Sequence, residues 1–172
     1  MDDSSLSIGS LSRVATVIIP SHAGRDDVLA TLARRAVEEG WARPGYGEAV
    51  IAREAAYPTG LHAPGLDIAI PHADAEWTLV PSMIVGILEE PAIFEPMGGQ
   101  GPEVLARFVL LLVIPDAGTH VDFLRALSGF IENEDLLAKF NTTQDVAILT
   151  DYLRARLEPS AAEAAEPPVP QT

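Results

Sequence analysis

Residues 53–61 read REAAYPTGL and residues 68–72 read IAIPH, and the fold prediction starts from these two stretches. The second stretch is an apolar run that ends in Pro71 and is followed at once by His72. Proline fixes its own φ at about −65° and pushes the residue before it toward an extended conformation. We therefore expect His72 at the stiff end of a strand rather than on a loose loop.

Three side chains in these stretches have candidate chemical roles, each with a simpler alternative. The neutral imidazole of His72 can act as a nucleophile, although a histidine here could also merely cap the strand end. The Arg53 guanidinium can fork two hydrogen bonds onto phosphate oxygens, or form a surface ion pair with Glu54 or another carboxylate. The Thr59 hydroxyl could donate to phosphate, hold the imidazole in one tautomer, or belong to an ordinary Pro-Thr-Gly turn.

Taken together, the two stretches resemble the IIA proteins of the sugar phosphotransferase system, in the fructose–mannitol–galactitol group. The resemblance covers roughly residues 14–157. A second match is Ile114-Pro115, a short polar loop, and then His120, which opens a segment with apolar residues at helical spacing. The segment Pro91-Ala92-Ile93-Phe94, with Met97-Gly98 close behind, is most similar to the galactitol type.

The resemblance implies a single α/β domain with a mixed β-sheet flanked by helices. It implies that His72 takes a phosphoryl group from the phosphorylated carrier protein HPr and passes it to a cysteine of a IIB protein, which serves a IIC membrane permease. Arg53 and His120 would stabilise the phosphoryl group. No cofactor or metal is needed, because donor and acceptor are activated protein side chains. The family uses Nε2 of the histidine; the sequence alone does not show which nitrogen reacts.

Composition limits the other classes of function. The chain has 172 residues, enough for one domain with a sizeable core, and a net charge of −14, which disfavours nucleic acid as a partner. It has no cysteine, so disulfides and Cys-zinc sites are excluded. No apolar run approaches the roughly 18 residues that span a bilayer, and Met1-Asp2-Asp3 lacks the basic start of a signal peptide. We expect a cytoplasmic protein that is not inserted in a membrane.

The resemblance implies one IIA-type domain at residues 13–157, and hydrophobic periodicity predicts the elements within it. Residues 1–12 are expected to form a flexible N-terminus, and residues 158–172, rich in Pro, Ala and Glu, a disordered acidic tail. Strands are predicted at 14–19, 66–71, 82–88 and 104–114, the last buried on both faces; helices are predicted at 28–40, at 48–56, from His120 to Ile131 and at 146–157, with a short turn at 136–140. Thr119 and Thr143 are candidate N-caps of the last two helices.

Two alternatives to a transport role remain open. Some relatives of this family control other proteins through their phosphorylation state, so a regulatory IIA-type protein is possible. A metal site formed by His62, His72, His120 and Asp74 is less favoured, because no tight ligand spacing such as H-E-x-x-H is present. His22 and His62 are otherwise expected on the surface. The sugar and the oligomeric state are not indicated by the sequence.

Overall fold

The structure, a computed structural model, describes residues 13–157. The predicted flexible N-terminus and the predicted disordered tail lie outside the described residues. The elements, in chain order, are β1 (Arg13–Ile19), α1 (Arg25–Glu38), α2 (Tyr46–Ala56), β2 (Gly60–Ala63), β3 (Leu66–Ala69), a short 3-10 turn (Ala75–Trp77), β4 (Ser82–Phe94), β5 (Val104–Val113), α3 (Ala117–Glu132), α4 (Glu134–Thr143) and α5 (Val146–Leu157). Within this part of the chain, no helix is long and apolar enough to cross a membrane.

The strands form one mixed sheet with the order β1-β4-β5-β3-β2. β1 lies parallel to β4 and β3 parallel to β5, whereas β4 with β5 and β2 with β3 are antiparallel. Because β3 and β5 are parallel, their carboxyl ends meet at the same edge of the sheet. The predicted single α/β domain with a mixed sheet flanked by helices is therefore confirmed.

Strand β5 separates two hydrophobic cores. Its side chains alternate between the faces of the sheet, so that Val109 and Leu111 pack with α1 and α2, and Leu110 and Leu112 pack with α3, α4 and α5. All four side chains are fully buried. The prediction of a strand buried on both faces is confirmed for residues 108–113 and is wrong for the start of β5, where Leu105 and Arg107 are exposed.

Some predicted boundaries were wrong. β4 continues past the predicted end at Leu88 to Phe94, with an irregularity in its register between Ile87 and Ala92. A full helix, α4, lies where only a short turn was predicted. A bulge lets a strand continue through a segment whose polar residues break the expected alternation, here Glu89 and Glu90.

Both predicted N-caps were also wrong, because an aspartate lies nearby in each case. The Asp116 carboxylate caps α3 by accepting the backbone N–H of Thr119 at 2.7 Å. Thr143 ends α4 instead of starting α5, and its hydroxyl donates to the carbonyl of Lys139. The Asp145 carboxylate accepts the N–H of Ala147 at the start of α5.

Gly60 joins α2 to the sheet at a point where the backbone approaches another segment closely. Its N–H donates to the carbonyl of Glu95 at 3.0 Å, and its carbonyl accepts from Met97 at 2.8 Å. A Cβ added at Gly60 would lie 2.5 Å from the Glu95 carbonyl oxygen and 2.8 Å from a methyl group of Val104. The glycine of the Pro-Thr-Gly motif is therefore required by packing.

We expect Gly60→Ala to lower the free energy of unfolding by about 1–3 kcal/mol, the usual cost of overpacking a rigid site. Gly47→Ala in α2 is the matched control, because its added methyl group would meet only the Ala33 side chain at an ordinary 3.6 Å. That change should be neutral or stabilise the protein by up to about 1 kcal/mol. Thermal and urea unfolding of both variants would measure the difference. Equal stability of the two variants would contradict the assignment.

Candidate functional site

His72 lies where the β3–β5 pairing ends, as predicted. The Leu112 N–H donates to the Pro71 carbonyl at 3.0 Å, and His72 forms an isolated parallel bridge with Leu112. The backbone before the histidine is also fixed, because the Ile70 N–H donates to Thr59. The imidazole is therefore attached to a backbone that hydrogen bonds hold at the two preceding residues.

One ring nitrogen of His72 is held by its own backbone. Nδ1 lies 3.2 Å from the Ile70 carbonyl oxygen. A carbonyl oxygen can only accept, so Nδ1 carries the proton and Nε2 keeps the free lone pair. The geometry therefore favours Nε2 as the nucleophile, a distinction that the sequence left open.

His120 lies in the first turn of α3, directly after the end of β5. Its ring centroid is 4.3 Å from that of His72, with an angle of 57° between the ring planes. The Nε2 atom of His120 is buried and has no hydrogen-bond partner within the described residues. A buried polar nitrogen without a partner costs free energy, so this atom is available to bond a ligand that enters the site.

Arg53 reaches the same place from the last turn of α2. One terminal nitrogen of its guanidinium lies 2.7 Å from a carboxylate oxygen of Asp74, and the group sits 5.0 Å from the centre of the Tyr57 ring. Its Nε atom is buried and, like the His120 nitrogen, has no partner among the described residues. Arg53 thus forms an ion pair, as the simpler alternative supposed, and still keeps a donor free.

These groups surround a cavity of about 250 Å³. Its lining residues are Arg53, His72, Ala73, Asp74, Ala75, Ile114, Asp116, Ala117 and His120. The cavity combines one nucleophilic nitrogen with two nitrogen atoms that lack partners. Such an arrangement can accept a small tetrahedral anion bonded to His72 Nε2.

Both histidines favour the neutral form. Burial lowers the pKa of His72, and the nearby His120 and Arg53 lower it further, although the hydrogen bond to the Ile70 carbonyl and the charge of Asp74 oppose this. Burial and the Arg53 charge also lower the pKa of His120. His72 is therefore available as a nucleophile near neutral pH.

Thr59 does not line the cavity. Its hydroxyl donates to the Glu54 carboxylate at 2.8 Å and accepts the Ile70 N–H at 3.2 Å, and its own N–H donates to Glu54 at 2.9 Å. Of the three alternatives left open for Thr59, this geometry favours a structural role, because its hydroxyl already donates to Glu54. Thr59 instead supports Ile70, whose carbonyl holds the His72 ring.

Glu54 supports the site from beneath, through Thr59, and does not pair with Arg53. It is 1% exposed and accepts the Thr59 hydroxyl. Burial raises its pKa, and the hydrogen bonds from Thr59 act in the opposite direction. The available signal was its spacing, since it lies four residues after the buried Val50 on the inner face of α2.

The other histidines lie elsewhere, as expected. His62 contacts the Asp67 carboxylate at 3.0 Å and the Pro102 carbonyl at 3.2 Å, and His22 lies 3.3 Å from the Glu90 carboxylate. Neither lines the cavity. Among residues 13–157, no group of three or more His, Cys, Asp or Glu side chains is arranged to hold a metal ion.

Residues 11–155 match the family described as "Phosphoenolpyruvate-dependent sugar phosphotransferase system, EIIA 2". The chain belongs to this family. Because the match covers most of the chain, it includes all three groups that meet in the cavity. No match was found among curated proteins.

Several solved structures share the fold of this EIIA protein. The mannitol IIA protein of Escherichia coli is 21% identical, with 77% of this chain and 90% of that chain covered and a TM-score of 0.59. The complex of that organism's mannitol IIA with phosphorylated mannitol IIB gives 20% identity, 78% and 90% coverage and a TM-score of 0.60. The nitrogen regulatory protein IIA-Ntr of Neisseria meningitidis is 21% identical, with 85% of this chain and 92% of that chain covered and a TM-score of 0.57. The galactitol subtype stays a prediction.

We expect NMR titration to give both active-site imidazoles pKa values below the ordinary 6.5. The folded state then binds fewer protons than the unfolded state, so the free energy of unfolding should fall as the pH drops below about 6.5. In His72→Gln this decrease should be smaller, as measured by urea unfolding between pH 7 and pH 5. A His72 pKa above 6.5, or a nitrogen spectrum showing the proton on Nε2, would contradict the arrangement.

Proposed function

We propose that this EIIA protein is a phosphocarrier in which His72 accepts a phosphoryl group from phosphorylated HPr and passes it to a cysteine of a IIB protein for sugar uptake. The observation that carries the proposal is the pairing of a nucleophilic His72 Nε2 with two nearby nitrogens, on Arg53 and His120, that lack partners. The solved complex of mannitol IIA with phosphorylated IIB supports IIB as the acceptor.

In the first step, the lone pair on His72 Nε2 attacks the phosphorus atom of the donor phosphohistidine. A new P–N bond forms as the donor's P–N bond breaks, and the donor imidazole leaves with the electron pair. The proton stays on His72 Nδ1, which continues to donate its hydrogen bond to the Ile70 carbonyl, so this side of the reaction needs no general base. In the second step, a thiolate of the acceptor attacks phosphorus and neutral His72 is regenerated.

The transition state of phosphoryl transfer is loose, so the protein contributes mainly position and charge. The Arg53 guanidinium offers a positive charge and its free Nε donor. His120 can offer Nε2–H, and a phosphoryl group on His72 would raise the pKa of His120 and strengthen that bond. Neither residue is a phosphoryl acceptor in this scheme. Thr59 acts only as support for the backbone of Ile70.

A regulatory role is the second candidate, because the nitrogen regulatory protein IIA-Ntr has the same fold. The segment from Pro91 to Met97, which resembles the galactitol type, favours transport of a galactitol-like sugar. Phosphoryl transfer to the IIB protein encoded nearest to this chain would support transport. Retention of the phosphoryl group with that IIB, together with binding of a control protein in only one phosphorylation state, would support regulation.

We expect His72→Gln to abolish phosphorylation by phosphoenolpyruvate, enzyme I and HPr, because no other nitrogen lies in the same position. His62→Gln is the matched control, since His62 is exposed and outside the cavity. Mass spectrometry of the acid-labile phosphate would locate the modified residue. Unchanged phosphorylation of His72→Gln would sink the proposal.

We expect Arg53→Lys to slow phosphoryl transfer by about tenfold to a hundredfold, because lysine keeps the charge but lacks the Nε–H donor and the fork. Arg35→Lys is the control, since Arg35 forms a surface ion pair with Glu39 at the carboxyl end of α1. Rapid-quench measurements with phosphorylated HPr would give both rates. Wild-type rates in Arg53→Lys would show that Arg53 is only a structural ion pair.

A further inference from the structure

The Arg53 guanidinium already has a carboxylate partner within the protein. Asp74, two residues after His72, lies 2.7 Å from one of its terminal nitrogens and lines the same cavity. The Asp74 side chain is 69% exposed, so water screens the pair and the bridge itself contributes little to stability. A contact of this kind can be broken at small cost when a stronger partner arrives.

A phosphoryl group on His72 would be that partner. It brings nearly two negative charges into the cavity. Arg53 can then bind the phosphoryl oxygens only by sharing its guanidinium or by leaving Asp74. The Asp74 carboxylate also repels the same oxygens, because it lies on the wall of the cavity.

The other carboxylate on the cavity wall is not equivalent to Asp74. Asp116 is the N-cap of α3, and its two oxygens accept the N–H and the hydroxyl of Thr119 at 2.7 and 3.0 Å. It is therefore fixed by its own helix and makes no ion pair with Arg53 among the described contacts. Asp74, by contrast, pairs with Arg53, the residue that would bind the phosphoryl group.

We propose that Asp74 is a positioning residue that holds Arg53 in the resting protein, competes with the phosphoryl group for it, and so limits how tightly His72 retains that group. This inference rests on His72 as the phosphoryl acceptor. Its consequence is a phosphohistidine that is passed on more readily than it would be without the carboxylate. Charges of −1 and −2 roughly 6 Å apart in a water-like dielectric change an equilibrium about tenfold, which sets the size of the expected effect.

Inorganic phosphate tests the competition without any protein partner. The ring resonances of His72 and His120 would be followed by NMR during phosphate titration of the wild type, Asp74→Asn and Glu76→Gln. Glu76→Gln is the matched control, since it removes one negative charge two residues after Asp74. The Glu76 side chain does not line the cavity. We expect Asp74→Asn to bind phosphate about tenfold more tightly than the wild type, and Glu76→Gln to change affinity less than about twofold.

A double variant shows whether the effect passes through Arg53. In the Arg53→Gln background Asp74 has no guanidinium to hold, so the gain from Asp74→Asn should shrink to the part that comes from direct repulsion of phosphate by the carboxylate. Asp74→Asn should also lower the pKa of His72, since the Asp74 charge raises it. An affinity for phosphate that is unchanged or weaker in Asp74→Asn, a gain of equal size in Glu76→Gln, or a gain undiminished in Arg53→Gln would overturn the inference.

The phosphorylated state gives the second measurement. At equilibrium with phosphorylated HPr, the ratio of phosphorylated to free protein should rise about tenfold in Asp74→Asn, and the rate of onward transfer to a IIB cysteine should fall. A wild type that is not phosphorylated on His72 would refute the proposed function, while the phosphate titration would still decide the competition between Asp74 and the anion.

Discussion

The backbone of Leu112 fixes the three elements that carry the site. Its N–H donates to the Pro71 carbonyl at 3.0 Å, which sets the position of His72. Its carbonyl accepts the buried Tyr46 hydroxyl at 2.8 Å, which anchors the start of α2, the helix that carries Arg53. Burial raises the pKa of Tyr46, so this hydroxyl stays a donor at any ordinary pH. β5 then leads directly into α3 and His120, so one residue of the central strand relates all three groups.

The parts of the site that could be predicted are those with a local sequence pattern. Pro71 before His72 marks a strand end, and apolar residues after His120 mark a helix, so both histidines were placed on the correct elements. The network of Glu54 and Thr59 could not be predicted in the same way. Glu54 and Thr59 are five residues apart, and Thr59 and Ile70 are eleven apart. A glutamate in a helix is expected to be exposed unless the buried face of the helix is known. The pairing of Arg53 with Asp74 likewise depends on the tertiary fold.

The same distinction holds for the fold. The apolar run of β5 identified a doubly buried strand, because burial on both faces leaves a continuous signal. The continuation of β4 was hidden by Glu89, Glu90 and Pro91, three residues that ordinarily end a strand. The caps of α3 and α5 were assigned to Thr119 and Thr143. The free N–H groups are instead satisfied by Asp116, three residues before Thr119, and by Asp145, two residues after Thr143. Local propensity favoured either choice, and only the backbone geometry selected one.

The cavity lies where the two hydrophobic cores, one on each face of the sheet, come together. Arg53 belongs to α2 and so to the core shared with α1, whereas His120 belongs to α3 and so to the core shared with α4 and α5. The two donors are therefore carried by different cores that meet only at the sheet. Loosening of one core would displace one donor and leave the other in place. Core substitutions far from the cavity would therefore weaken phosphoryl binding by Arg53 and by His120 independently of each other.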